Sequence, residues 1–104
     1  MSGTWHKVGH KDDFEDGRFA YRADSFHIGI FLCGEDVFAI DNLCTHGNAL
    51  LTDGELEDCL IECPLHAGLV DVRTGKAAGA PINRDARAYR ARIENGAIFL
   101  ELPE

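Results

Sequence analysis

Two Cys-His pairs set the hardest constraint on this sequence: Cys44-Thr45-His46 and Cys63-Pro64-Leu65-His66, with sixteen residues between His46 and Cys63. Each pair offers one thiolate and one imidazole. Small or turn-forming residues crowd both: Gly47 and Ala49 follow the first pair, Pro64 splits the second, and Ala67-Gly68 follows it. Residues this small let the backbone approach an inorganic centre closely. A fold that uses the pattern has to hold two loops face to face on a rigid scaffold.

The flanking sequence supplies strands for that scaffold. His27-Ile28-Gly29-Ile30-Phe31-Leu32-Cys33 and Val37-Phe38-Ala39-Ile40 are β-rich runs separated by Gly34-Glu35-Asp36, the pattern of a hairpin. At the C-terminus Tyr89, Ala91 and Ile93 alternate with Arg90, Arg92 and Glu94. Asn95-Gly96 then turns the chain, and Ile98, Leu100 and Leu102 alternate again. Two shorter strands are predicted between these hairpins, about 56–62 and 69–72, with turns at Asp53-Gly54 and Thr74-Gly75. No window carries a sustained helical period, so the prediction is a small all-β protein, an antiparallel sandwich or barrel. Both Cys-His pairs fall on loops at strand ends, where a sheet scaffold presents chemistry.

A chain of 104 residues with 45% hydrophobic and 27% charged residues is read as one globular domain, 1–104. A net charge of −8 with ten scattered basic residues argues against nucleic acid as a partner. No apolar run is long enough to span a bilayer, and Met1 to Asp13 lacks the apolar core of a secretory signal. A cytoplasmic location with no membrane partner is the expectation. In a reducing compartment Cys and His patterns point to metal binding or catalysis rather than to disulfides. Cys33, inside an apolar strand, and Cys59 are read as inert thiols, with an extra ligand or a mutual pairing as the rival for Cys59. His6, His10 and His27 are read as ordinary polar residues.

Two thiolates and two imidazoles suit tetrahedral Zn²⁺, and they also suit a [2Fe–2S] cluster of mixed ligation. Zinc fingers usually pair like with like, whereas each loop here contributes one of each. A binuclear cluster with cysteines on one iron and histidines on the other fits that interleaving.

At these residues the sequence resembles the Rieske [2Fe–2S] family, whose signature is Cys-x-His followed after a spacer by Cys-x-x-His. The likeness extends through Asp71, Thr74-Gly75-Lys76 and Ala80-Pro81. It implies one cluster per chain, held by Cys44 and Cys63 on the buried iron and His46 and His66 on the outer one, with Gly79-Ala80-Pro81 covering it. It also implies a Rieske-like fold: antiparallel sheets forming a basal β sandwich or barrel, with an inserted cluster-binding subdomain at about 41–81. Two ferric ions, two sulfides and two thiolates sum to zero, so reduction takes the site only to −1. Mixed ligation therefore gives potentials of roughly −150 to +300 mV, against about −400 mV for all-thiolate plant-type ferredoxins.

High-potential members carry a disulfide between the two loops and Ser and Tyr donors to the cluster. This chain has Ala49 and Leu65 at the cysteine positions and Gly68 and Val70 at the donor positions. Without hydroxyl donors the potential is expected near the low end, roughly −150 mV. The resemblance is strongest to ferredoxin components of bacterial aromatic-ring-hydroxylating dioxygenase systems, with departures at Ala67 and Val70. It implies a one-electron shuttle, not an enzyme, taking electrons from an NAD(P)H-dependent flavoprotein ferredoxin reductase and passing them to a terminal oxygenase. Leu65, Asn48 and Pro81 are the expected rim contacts. The alternatives are a Rieske subunit of another redox system, of the nitrite-reductase small-subunit type, or a structural zinc module for protein interaction.

Overall fold

A computed structural model describes residues 3–23, 25–44, 49–65, 68–80 and 84–103. Among them, eleven strands form three antiparallel sheets. The first has the order β1 (Thr4–His10), β11 (Ala97–Leu102), β10 (Ala91–Glu94). The second runs β2 (Arg18–Ala23), β3 (Phe26–Cys33), β4 (Asp36–Asp41), β9 (Ala88–Tyr89). The third runs β5 (Glu55–Glu57), β6 (Leu60–Glu62), β7 (Leu69–Asp71), β8 (Ala77–Gly79). No helix among the described residues is long and apolar enough to cross a membrane.

The second sheet is the middle layer, which explains why its strands read as continuous apolar runs. On one face Ile28, Ile30, Val37 and Ala39 pack with Ile98, Leu100 and Leu102 of the first sheet. On the other, Phe31 and Ile40 pack with Cys44, Leu51, Ile61, Cys63, Val70 and Val72. Each fully buried aliphatic side chain contributes about 1.5–3 kcal/mol relative to exposure. Both cysteines of the metal motif thus sit inside the second core rather than on its rim.

Both predicted hairpins form. Asn95 and Gly96 take φ of +52° and +83°, the paired positive values that a tight Asn-Gly turn requires. Cys33 pairs with Asp36 across Gly34-Glu35, one residue tighter than the predicted loop. Other elements differ from the sequence reading. The single strand expected at 56–62 is two strands, β5 and β6, joined at Asp58-Cys59. β8 was not anticipated, nor were β1 and β2. β1 reads as polar because several of its residues face solvent, but it pairs with β11 along Thr4↔Leu102 to His10↔Ala97.

The reading of Cys33 and Cys59 as inert, separate thiols is corrected: the two are joined as a disulfide, with Cα atoms 5.3 Å apart. They lie 26 residues apart in sequence, and only the packing of the third sheet on the second brings the β3–β4 and β5–β6 turns together. Closing a loop of that length contributes about 3.5 kcal/mol through the unfolded chain.

Candidate metal centre

Cys63 follows directly from β6, and Cys44 follows β4 after Asn42 and Leu43; each heads a loop closed in the same way. After β4 the Cys44 amide donates to the Ala49 carbonyl at 2.8 Å, and Leu43 bridges Leu50. After β6 the Cys63 amide donates to the Gly68 carbonyl at 2.7 Å. Both loops therefore return to their own cysteine five residues on. Cys44 is 3% exposed and Cys63 is not exposed at all.

Burial pushes the Cys63 thiol above its ordinary value, and the neighbouring Cys44 thiol adds to the rise. At this depth the Cys63 thiolate needs a positive charge beside it. Ferric iron supplies that charge, so the donor chemistry on the described side of the site fits an iron–sulfur cluster. His46 and His66, and with them Asn48, Ala67 and Pro81, lie outside the described residues. Of the predicted ligands, the structure brings Cys44 and Cys63 into one core.

The stem of the first loop is held by Asn42, a fully buried polar side chain. Its amide nitrogen donates to Thr52 Oγ1 at 2.8 Å and reaches His27 Nε2 at 3.2 Å, and its side-chain oxygen accepts from the Thr52 amide at 2.9 Å. Its backbone accepts from the Leu51 amide at 2.7 Å and donates to the His27 carbonyl at 2.9 Å. The strand entering the loop is thereby tied to the segment leaving it and to β3. His27 can accept at Nε2 only as the neutral tautomer protonated on Nδ1.

Arg18 of β2 provides a second tie: its guanidinium donates to the carbonyls of Thr52 at 3.1 Å and Gly54 at 2.6 Å. Gly54 itself lies so close to the β6 backbone that a Cβ there would collide with the Glu62 carbonyl. Beyond the second loop, Asp71 takes a two-pronged contact from Arg73, at 3.0 Å to each carboxylate oxygen, and Arg73 holds its carboxyl below the usual range. Asn42, Arg18 and Thr52 carried no signal in the sequence beyond a polar residue, Asn42, at the end of an apolar strand.

Among the described residues flanking the buried cysteines, three apolar ones are exposed. Leu43 is 54% exposed and Leu65 38%, and Pro64 is also exposed. A groove beside the first loop is lined by His27, Asp41, Leu43, Cys44, Arg84 and Arg87. The Tyr89 hydroxyl donates to Asp41 at 2.5 Å, and burial raises the phenol above its ordinary value.

Comparison with known proteins agrees with this chemistry. A profile described as the Rieske [2Fe-2S] domain matches residues 4–90. The chain is 49% identical to the naphthalene 1,2-dioxygenase system ferredoxin component of Pseudomonas putida over 103 residues, covering 98% of this chain and 99% of that one. It is 44% identical to the anthranilate 1,2-dioxygenase ferredoxin subunit of Burkholderia cepacia over 95 residues, covering 90% and 88%. Among solved structures, the Sphingomonas yanoikuyae B1 ferredoxin superposes with a TM-score of 0.88 at 33% identity, covering 96% of this chain and 100% of that one. The chain belongs to the Rieske [2Fe–2S] family, and within it to the ferredoxins, the electron-carrying rather than catalytic components of aromatic-ring dioxygenase systems.

Proposed function

We propose that the chain is a cytoplasmic one-electron shuttle that takes electrons from an NAD(P)H-dependent flavoprotein reductase and delivers them to a terminal ring-hydroxylating oxygenase. Cys44 and Cys63 hold the inner iron and His46 and His66 the outer one, within a cluster-binding subdomain at about 41–81. The bound cluster supplies a single-electron couple that starts from zero charge when oxidised.

The observation that carries the reading is the placement of two buried thiols directly beneath an exposed apolar rim. Exposed leucines on a protein of net charge −8 are apt for brief contact with another protein. A shuttle needs contacts that are small and quickly broken. A solved structure that superposes with a TM-score of 0.87 at 26% identity is described as a complex of reduced oxygenase and oxidised ferredoxin in carbazole 1,9a-dioxygenase, which supports an oxygenase as the acceptor.

The low end of the potential range follows from what stands behind Cys63. Gly68 and Val70 are both buried there and neither offers a hydroxyl. Direct voltammetry of the purified protein is expected to give a midpoint of roughly −150 mV at pH 7. A value above zero contradicts the assignment.

The rim is tested by Leu65→Asp, using the reductase and oxygenase of the naphthalene dioxygenase system as partners in stopped-flow mixing. Placing a carboxylate in the contact is expected to slow transfer about tenfold or more, by the ~1.4 kcal/mol or more that an unpaired interfacial charge costs. The visible spectrum stays as in the parent protein. Unchanged rates to both partners would place docking elsewhere on the surface.

A further inference from the structure

The Cys33–Cys59 bond stands apart from the cluster ligands and from the loop disulfide of high-potential relatives. Cys33 closes β3 at its turn into β4, and Cys59 is the second turn residue between β5 and β6. β4 leads into Cys44 and β6 leads into Cys63, so the bond ties together the far ends of the strands that carry the two thiolate ligands.

The local backbone singles out Cys59. Asp58 and Cys59 have φ of +51° and +69°, a two-residue turn whose second position is ordinarily glycine. A residue with a side chain is held there against the steric preference of its backbone. The carbonyl of Cys59 also accepts from the Val72 amide at 3.0 Å, fixing the turn against the end of β7. Both cysteines are half-buried at hairpin ends, whereas Cys44 and Cys63 are enclosed. Small thiols and disulfides in solution therefore reach Cys33 and Cys59 more readily than Cys44 and Cys63.

We propose that Cys33 and Cys59 are a reversible dithiol–disulfide pair that exchanges with low-molecular-weight disulfides of the glutathione type, and that its oxidised form retains the cluster longer. In the forward reaction the Cys59 thiolate attacks one sulfur of oxidised glutathione, forming a mixed disulfide and releasing one glutathione thiolate. The Cys33 thiolate then attacks the Cys59 sulfur, forming the intramolecular bond and releasing the second. The pair loses two electrons and two protons, and the glutathione disulfide is reduced to two thiols. Disulfides in reducing compartments are typically of this transient, responsive kind. The effect on the cluster rests on the ligand assignment above; the exchange itself does not.

The test equilibrates the holoprotein anaerobically in glutathione buffers of graded ratio, then alkylates under acid quench and maps the peptides. Cys33 and Cys59 are expected to go from both alkylated to both protected in one two-electron transition, with no glutathione adduct left at the oxidising end. Decay of the visible absorbance in excess chelator is expected to be several-fold slower for the disulfide form. The Cys33→Ser variant, and Cys59→Gly, which also relaxes the turn, should decay at the rate of the dithiol form at every ratio. Free thiols at all ratios, a bond that resists the most reducing buffer, a persistent mixed disulfide, or equal decay rates for the two forms would each overturn the proposal. If no cluster is present, the alkylation profile still reports the exchange, so failure of the ligand assignment and failure of this inference are told apart.

Discussion

Cys63→Ser is expected to leave the purified protein without iron, sulfide or visible colour. Cys63 is fully enclosed at the end of β6, with its amide committed to Gly68 and its sulfur beside Cys44. Replacing a soft thiolate by a hydroxyl that does not ionise near neutrality removes half of the protein thiolate ligation to one iron. Nothing else at this depth among the described residues can take its place, because the surrounding side chains are Phe31, Ile40, Leu51, Ile61, Val70 and Val72. Cys33→Ser makes the informative control: the same chemical change outside the ligand set should leave iron content intact. Iron and acid-labile sulfide assays on both variants check the contrast. A Cys63→Ser protein that keeps a full complement of both would remove Cys63 from the site.

The second large effect is expected from a residue that touches no metal. Asn42→Leu preserves approximate volume but removes every side-chain hydrogen bond made by Asn42. The Thr52 amide, the Thr52 hydroxyl and His27 Nε2, all half-buried, then lose their partner. A buried group left unpaired costs about 1–3 kcal/mol, and because water can partly reach these partners a loss of about 2–3 kcal/mol is expected for the set. In a domain of this size that lowers the thermal midpoint by roughly 10–20 °C, as followed by circular dichroism. Because the same bonds fix the stem of the loop that begins at Cys44, iron retention should fall together with the midpoint. A shift of only a few degrees would show that the loop is held by its backbone contacts alone.

The parts of the molecule visible in the sequence are those written in local patterns. Alternation around Asn95-Gly96 revealed the last hairpin, and the apolar run ending at Cys33 revealed β3. The Cys-x-His and Cys-x-x-His spacing pointed to four donors, of which the structure brings Cys44 and Cys63 into one core. β1 escaped notice because it is a polar strand whose place is set by pairing with β11, far along the chain. The Asp58-Cys59 turn escaped because it lacks the glycine that usually marks such a turn.

Long-range ties were the least legible. Arg18 reaches Thr52 and Gly54 across 34 and 36 residues, and Cys33 meets Cys59 across 26. Those meetings depend on how the third sheet lies against the second, which no hydrophobic period encodes. Asn42 shows the same limit in another way. Its burial is explained only by its partners, two of which, Leu51 and Thr52, lie on the far side of the loop.

Pulsed electron paramagnetic resonance of the dithionite-reduced protein tests whether His46 and His66 join Cys44 and Cys63 in holding a diiron cluster. The reduced protein is expected to show an average g value below that of an all-thiolate cluster, with strong couplings to two distinct nitrogens, one of which disappears in each of His46→Cys and His66→Cys. A reduced cluster without nitrogen coupling, or protein that binds no iron after anaerobic reconstitution, contradicts this assignment.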